Sequence, residues 1–81
     1  MAEVELFGTP ACPYTTLMRD WLEWNGREFV EYDVESDPIA RARLRALANG
    51  ERTVPVLVER GCVVRVGWQG RGCIVDLETG E

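Results

Sequence analysis

Long apolar stretches and a basic N-terminal segment are both missing from this sequence. The apolar runs are only a few residues long, as at residues 54–58, whereas a membrane-spanning helix needs about 20. Residues 1–5 are acidic overall and no apolar stretch follows them, which is not the pattern of a secretory signal. We therefore expect a cytoplasmic protein with no membrane partner.

Positive charge is also scarce. The chain has nine basic residues against 14 acidic ones and no His, which gives a net charge of −5. Proteins that bind nucleic acids usually concentrate positive charge on one surface to meet the phosphates. The charge balance therefore argues against a nucleic-acid partner.

Cysteine occurs three times, as Cys12, Cys62 and Cys73. An odd, small number of cysteines does not make a complete disulfide framework. In a chain without a secretory signal, thiols indicate redox chemistry or metal binding more often than structural bridges. The acidic residues at positions 31, 33, 35 and 37 match no recognised set of metal ligands. We interpret them as a solvated edge with one helix cap, and we expect no metal.

The 81 residues, 46% of them hydrophobic, predict a single domain spanning residues 1–81. Alternating strand and helix patterns predict a βαβαββ order with a last, short helix. The predicted strands are residues 4–7, 28–34, 54–59 and 62–66, the helices are residues 13–25 and 38–48, and residues 73–77 form one or two helical turns. This order indicates an α/β protein with a four-stranded mixed sheet that is parallel first and ends in an antiparallel hairpin.

The two predicted helices carry recognisable boundaries and apolar faces. Gly26 is placed to end the first, and Asp37-Pro38 and Asn49-Gly50 are typical of the start and end of the second. In the first helix, Leu17, Trp21 and Trp24 form one apolar stripe, with Met18 and Leu22 beside it. The predicted buried positions of the second helix are Ile39, Leu44, Leu47 and Ala48.

Cys12 lies in a loop between the first predicted strand and the first helix, and Pro13 follows it. A cysteine at a helix start faces unpaired backbone N–H groups and the positive end of the helix dipole. Thiols in such settings have pKa values of about 3.5–7.5, against about 8.5 for free cysteine. The pattern indicates a nucleophilic thiolate that is accessible to solvent, although a buried packing cysteine is the alternative.

Thr53-Val54-Pro55 places a proline at the head of an apolar strand. Proline cannot donate to a strand ladder, so this position is unusual. A cis bond before Pro55 would open the backbone of Val54 towards a bound peptide. Since only about 5–6% of X-Pro bonds are cis, spacing alone favours an ordinary trans bond.

Together, the strand before Cys12, the Cys12-Pro13-Tyr14-Thr15 turn and Arg52-Thr53-Val54-Pro55 resemble the glutaredoxin family. The resemblance runs from Val4 to about Gly67 and implies a thioredoxin-like three-layer fold. It also implies that Pro55 is cis and lies close to Cys12, and that glutathione is the co-substrate. The residues it assigns to glutathione binding are Tyr14, Arg52, Thr53, Val54, Pro55 and Gly67. Within that set, the resemblance implies that Val54 pairs its backbone with the glutathione cysteinyl unit and that Arg52 or a nearby arginine meets a carboxylate.

Three departures from the family pattern matter. Thr15 stands where dithiol members have a second cysteine, so no disulfide can form within this turn. Residues 8–11 contain no cation, although the family often has a lysine there. The stretch after Gly67 leaves little room for the family's last helix, and the short tail with Cys73 resembles a monothiol-like branch related to glutaredoxin-like selenoproteins.

The resemblance implies thiol–disulfide exchange, with Cys12 as the nucleophile acting on glutathione mixed disulfides or protein disulfides. Cys73 is open to two interpretations: a resolving thiol that the glycine-rich stretch at residues 67–72 brings to Cys12, or a small apolar residue that opens a terminal turn. We interpret Cys62 as a bystander. Two alternative functions are a glutathione-dependent [2Fe–2S] cluster carrier and an electron donor to one specific reductase. We expect the oxidoreductase, acting as a monomer in electron transport and cell redox homeostasis.

Overall fold

The computed structural model describes residues 3–48 and 52–75. Within these ranges the chain forms two helices and six strands, two of the strands being only two residues long. In chain order the elements are β1 (Val4–Gly8), α1 (Pro13–Trp24), β2 (Val30–Asp33), α2 (Pro38–Ala48), β3 (Thr53–Val54), β4 (Val56–Glu59), β5 (Cys62–Val66) and β6 (Cys73–Ile74).

The central sheet has four strands in the order β2-β1-β4-β5. β1 pairs with β2 in parallel and with β4 antiparallel, and β4 pairs antiparallel with β5. The predicted mixed sheet with a terminal hairpin is confirmed. A two-residue turn at Arg60 and Gly61, both at positive φ, joins the last two strands of that sheet.

Two apolar clusters on opposite faces of the sheet make the three layers. Leu6 of β1 packs in a cluster with Met18 and Leu22 of α1. The next residue, Phe7, belongs to the other cluster, which contains Leu44 of α2. Since neighbouring residues of a strand point to opposite faces, each helix covers its own face of β1. The thioredoxin-like three-layer arrangement is confirmed.

Helix α1 is rotated by about one residue from its predicted apolar stripe. Met18 and Leu22 are fully buried, whereas Leu17 is 44% exposed and Trp24 is 90% exposed. Trp24 therefore lies outside the core, although it belongs to the predicted apolar stripe. The helix ends close to the predicted position, since Gly26 follows it at a φ of +69°.

Helix α2 begins as its sequence predicts. Oδ1 of Asp37 accepts hydrogen bonds from the backbone N–H groups of Ile39 and Ala40, both at 3.1 Å. Leu44 is fully buried, as predicted, but Ile39 is 74% exposed because it lies on the outer side of the first turn. The predicted end at Asn49-Gly50 lies outside the described residues.

Two predicted elements differ from the structure: the third strand is interrupted at Pro55, and a short strand stands at the start of the last predicted helix. A cis peptide bond between Val54 and Pro55 separates β3 from β4. Cys73 and Ile74 were predicted to open a helix, yet they form β6 because β3 offers them an antiparallel partner. Residues 76–77 of that predicted helix lie outside the described residues.

An ion pair joins α2 to the face of β1 that it covers. Arg43 donates to both carboxylate oxygens of Glu5, at 2.8 and 2.9 Å, and the hydroxyl of Tyr32 donates to the same carboxylate at 3.1 Å. The Arg43 guanidinium also lies 5.4 Å from the centroid of the Phe7 ring. The hydrogen bond from Arg43 holds the pKa of Glu5 below its usual 4.5, outweighing desolvation, which raises it.

Glu5→Gln should lower the free energy of unfolding at pH 7 by about 1–2 kcal/mol, between the values typical of exposed and buried pairs, because Arg43 is partly exposed. A lowered folded-state pKa stabilises the protein above the unfolded-state pKa, and this contribution is lost as the pH falls through the folded-state value. The difference between the two proteins should therefore shrink below about pH 4. Urea unfolding of the original protein and of Glu5→Gln, at pH 7 and at a pH below about 4, measures this difference in the free energy of unfolding. The exposed Glu28→Gln variant is the control. An equal loss at both pH values would contradict the assignment.

Candidate active site

Cys12 occupies the N-cap position of α1. Its backbone is extended, with φ −91° and ψ 115°, and its carbonyl accepts the N–H of Thr15 at 3.1 Å and that of Thr16 at 3.4 Å. Pro13 follows at the first helical position, where its missing N–H leaves no helical hydrogen bond unmade. The predicted placement of Cys12 at the positive end of a helix is therefore confirmed.

The cis Val54–Pro55 segment lies directly beside Cys12. The Sγ atom of Cys12 is 3.8 Å from the carbonyl oxygen of Val54. This is a van der Waals contact, because the sulfur is in a disulfide and has no proton to donate. The structure thus confirms both the cis bond and the closeness of Cys12 to this segment that the family resemblance implies.

Cys12 forms a disulfide with Cys73, which is 61 residues further along the chain. Their Cα atoms are 6.0 Å apart, a usual separation for bridged cysteines. The structure therefore shows that the chain brings Cys73 to Cys12. Cys62 is exposed and lies outside this disulfide, in agreement with its interpretation as a bystander.

The segment that carries Cys73 back to the site, residues 67–75, is called here the C-terminal arm. It begins with Gly67, whose N–H donates to the carbonyl of Pro55 at 2.6 Å. It then reverses through a two-residue turn at Gln69 and Gly70, both at positive φ. The predicted glutathione residue Gly67 thus makes a backbone contact with the proline segment in this structure.

The turn of the arm is closed by backbone pairing and anchored by a ring. Trp68 and Arg71 exchange two backbone hydrogen bonds, at 2.6 and 2.9 Å. The Trp68 ring packs against the apolar cluster that contains Met18 and Leu22 of α1. It meets Trp21 edge-on, with ring centroids 6.2 Å apart. These contacts fix the direction in which the rest of the arm returns to the sheet.

After the turn, the arm runs antiparallel to β3. Cys73 pairs with Val54 and Ile74 pairs with Thr53, and the N–H of Val75 donates to the carbonyl of Arg52 at 2.9 Å. The backbone edge before the cis-proline is therefore occupied by the chain's own Cys73.

Gly72 allows this close approach. A Cβ atom at this position would lie 2.5 Å from the carbonyl oxygen of Val54 and 2.5 Å from Cγ2 of Thr53. The first of these is a backbone atom, so it cannot move aside cheaply. Sequence reasoning noted the glycine-rich stretch but missed this residue. The available signal was a glycine immediately before a cysteine that can pair.

Cys12 is only 1% exposed, so the expectation of a sulfur accessible to solvent is wrong for this form of the protein. The cause is the C-terminal arm, which places Cys73 on Cys12 and buries Val75 in the same apolar cluster. Cys73 itself remains half-buried. The more accessible residue of the disulfide is therefore the one on the arm.

Thr15 stands one helical turn after Cys12 and is fully buried. Its hydroxyl accepts the N–H of Thr9 at 3.4 Å. A Cβ atom on Gly8 would lie 2.4 Å from its methyl carbon, so Thr15 fills the space beside β1. The side chain at this position therefore serves the packing of the loop that precedes Cys12.

The other predicted glutathione residues lie around the disulfide. Tyr14 is partly buried and packs against the apolar cluster that contains Leu44 of α2. Thr53 is half-buried and Arg52 is exposed. The structure thus places Tyr14 on the first turn of α1 and the other two on the segment that leads to Pro55.

A separate cavity of about 340 Å³ is lined by Gly8, Thr9, Pro10, Glu31 and Asp33. Its two carboxylates have nearby partners, since Arg19 pairs with Glu31 at 2.7 Å and Asp33 accepts the N–H of Glu35 at 3.0 Å. No cysteine lines this cavity.

Within residues 3–48 and 52–75, no three His, Cys, Asp or Glu side chains are grouped as metal ligands would be. Over the same ranges, neither helix has the length and apolar character needed to cross a membrane.

Comparison with known proteins agrees with this geometry. The glutaredoxin family model matches residues 4–64. A probable glutaredoxin of Synechocystis sp. is 34% identical over 76 residues, which cover 88% of this chain and 70% of that protein. The crystal structure of a thioredoxin-like protein matches with a TM-score of 0.73 at 32% identity, covering 82% of this chain and 88% of that one. A buckwheat glutaredoxin–glutathione complex shares the fold, with a TM-score of 0.67 at 19% identity over 82% of this chain and 61% of that one.

A sheet of this topology, with a cis-proline beside a cysteine at a helix N-terminus, defines a thioredoxin-fold protein of the thiol oxidoreductase class. The family model covers most of the sequence, including Cys12 and the cis Val54–Pro55 bond. The chain belongs to the glutaredoxin family.

Proposed function

We propose that this protein is a glutathione-linked thiol–disulfide oxidoreductase in which Cys12 is the nucleophile and Cys73 the resolving thiol. The observation that carries the proposal is the disulfide between the helix-capping Cys12 and Cys73, held against the cis Val54–Pro55 bond. Backbone N–H groups at a helix start favour a negative charge, and the thiolate is the form of cysteine that exchanges with disulfides.

The reaction begins with the reduced protein. The Cys12 thiolate attacks the glutathione sulfur of a mixed disulfide, so a Cys12–glutathione bond forms and the substrate leaves as a thiolate that takes up a proton. The Cys73 thiolate then attacks the sulfur of Cys12 and glutathione leaves as a thiolate. Two electrons have passed to the substrate disulfide, and the Cys12–Cys73 disulfide remains. Two molecules of glutathione reduce it and leave as glutathione disulfide.

The glutathione-binding residues remain those that the family resemblance implies. The antiparallel pairing of Val54 with Cys73 supports the role of this edge, because it presents its backbone to an extended cysteinyl segment. Arg52 is exposed at the end of that edge, where a guanidinium suits a carboxylate. Tyr14, Thr53, Pro55 and Gly67 complete the proposed groove around the disulfide.

The same disulfide favours the oxidoreductase over the cluster-carrier alternative. A cluster ligand must be a free thiolate, whereas Cys12 is bonded to Cys73, and this disulfide is the product that a two-cysteine exchange cycle leaves. The net charge of −5 is consistent with glutathione or protein disulfides as partners and not with nucleic acid. We propose a cytoplasmic monomer that contributes to electron transport and redox homeostasis.

A single-turnover experiment tests the function. Reduced protein is mixed with a glutathionylated peptide, quenched with acid at intervals, digested without reductant and analysed by mass spectrometry. We expect the peptide thiol and the Cys12–glutathione adduct to appear together, followed by the Cys12–Cys73 disulfide. Absence of peptide thiol release, or glutathione found only on the exposed Cys62, would contradict the proposal.

A further inference from the structure

The C-terminal arm occupies the edge at which the proposed substrate binds. Cys73 pairs with Val54, its sulfur is bonded to Cys12, and its neighbour Ile74 pairs with Thr53. A substrate cysteine that forms a disulfide with Cys12 needs the same place. The arm therefore shows how a disulfide-bonded cysteinyl segment fits on this edge.

We propose, on the basis of the proposed function, that this edge selects thiols whose cysteine is preceded by a unit without a side chain. The arm is a built-in substitute for such a substrate. Gly72 precedes Cys73, and a Cβ atom there would lie 2.5 Å from the carbonyl oxygen of Val54. An α-linked alanine or valine before a substrate cysteine would meet the same backbone atom, which cannot rotate away.

Two chemical units satisfy this condition. In a glycyl-cysteine, the carbon before the amide carbonyl carries no side chain. In a γ-glutamyl-cysteine, that carbon is a methylene group, because the linkage runs through the end of the glutamate side chain. The edge therefore accepts glutathione and glycyl-cysteinyl segments for the same steric reason.

The position after the cysteine is not restricted in this way. Ile74 follows Cys73 and is 73% exposed, so its side chain points away from the protein. The edge therefore discriminates on one side of the cysteine only, which gives each test on the preceding residue a matched control on the following residue.

The arm and a thiol bonded to Cys12 exclude each other, so closing the disulfide and releasing that thiol are one event. When the Cys73 thiolate attacks Cys12, the arm takes the edge and the bound glutathione leaves with the electron pair of the broken sulfur–sulfur bond. The ladder between β3 and β6 has only two residue pairs, so the arm is small enough to open locally after reduction.

The first experiment uses the Cys73→Ser variant, in which no intramolecular disulfide can displace the adduct. The reduced variant reacts with symmetrical disulfides of glutathione and of short peptides containing Gly-Cys-Gly, Ala-Cys-Gly, Val-Cys-Gly or Gly-Cys-Val. Stopped-flow measurement gives the rate of adduct formation on Cys12, divided by the rate of each disulfide with dithiothreitol. Any remaining association of the arm slows all of these reactions alike.

We expect glutathione, Gly-Cys-Gly and Gly-Cys-Val to react within about threefold of one another, and the Ala-Cys and Val-Cys peptides at least about tenfold more slowly. Equal rates for Gly-Cys-Gly and Val-Cys-Gly would overturn the selectivity while leaving the oxidoreductase function intact. If Cys12 reacts with none of these disulfides, the proposed function fails and the selectivity fails with it.

The second experiment changes the arm instead of the substrate. Gly72→Ala should lower the equilibrium constant for the Cys12–Cys73 disulfide against glutathione at least about tenfold, because its Cβ atom meets Val54. Ile74→Thr keeps a β-branched residue at an exposed position of the same strand and should change the constant less than about threefold. An unchanged constant for Gly72→Ala would overturn the claim that the arm and the substrate share one steric limit.

Discussion

Cys12→Ser should reduce the rate at which the protein reduces a glutathionylated peptide at least about a thousandfold. A serine hydroxyl is not ionised near neutral pH, so the helix N-terminus has no thiolate to stabilise. Cys73 cannot take over the role, because its segment is an edge strand and not a helix start. Consumption of NADPH coupled through glutathione reductase measures the rate.

Two matched variants make this result specific. Cys62→Ser removes an exposed thiol outside the disulfide and should leave the rate within about twofold of the original. Cys73→Ser should remain active with glutathione as the resolving thiol, and its Cys12–glutathione adduct should accumulate. If Cys12→Ser keeps a substantial part of the activity while Cys62→Ser loses it, the nucleophile has been assigned to the wrong sulfur.

The position of Cys12 could be predicted from sequence because its signals are local. A short strand, a loop with Pro10 and Pro13, and a helical period after Cys12 together define a helix N-terminus, and the structure has one there. The cap of α2 at Asp37 was predictable for the same reason. The chemistry of a helix start depends on residues that are neighbours along the chain.

The cis bond before Pro55 could not be derived in this way. X-Pro bonds are cis in only a small fraction of cases, and nothing in the immediate sequence changes that preference. The family resemblance implied the cis form, and the structure confirms it. The cis bond separates Val54, which lies in β3, from β4, so the predicted continuous strand over residues 54–59 is interrupted at Pro55.

The burial of the helix faces was only partly predictable. The helical period was correct, but Trp24 and Ile39 are exposed while Met18 and Ala40 are buried. An apolar stripe predicts that a helix packs against the sheet, whereas the rotation of the helix about its axis depends on the shape of the opposite surface. Where two neighbouring stripes of a helix are similarly hydrophobic, tertiary packing therefore decides which of them is buried.

The partner of Cys73 stayed open at the sequence level because it depends on contacts distant in sequence. The pairing needs a turn at Gln69 and Gly70, both at positive φ, and a glycine at position 72 that can approach Val54. In the sequence, these requirements are visible only as a glycine-rich composition, which is equally compatible with a flexible loop. The strand β6 exists because β3 is there to pair with it.

The disulfide also places the two sulfurs in different environments. Cys12 is 1% exposed and caps a helix, whereas Cys73 is half-buried on an edge strand. The rate of thiol–disulfide exchange depends on access to the sulfur that is attacked and on the stability of the thiolate that leaves. Both factors favour attack on Cys73 with Cys12 as the leaving thiolate.

Glutathione should therefore attach first to Cys73 when it reduces the oxidised protein, with a preference of at least about tenfold over Cys12. Oxidised protein in the Cys62→Ser background is mixed with glutathione and quenched with acid at successive times. The free thiol is then alkylated at low pH, and the two cysteines are distinguished by mass spectrometry of digested peptides. Because glutathione can migrate between the two cysteines, the ratio is extrapolated to zero time.

The expected early product has glutathione on Cys73 and the alkyl group on Cys12. Initial attachment to Cys12 would show that the C-terminal arm opens before the disulfide is reduced, and access would then not control the reaction. A protein that behaves as expected uses its two cysteines in opposite orders in the two halves of its cycle. Cys12 meets the oxidised substrate first, and Cys73 meets the reductant first, because the arm exposes a different sulfur in each state.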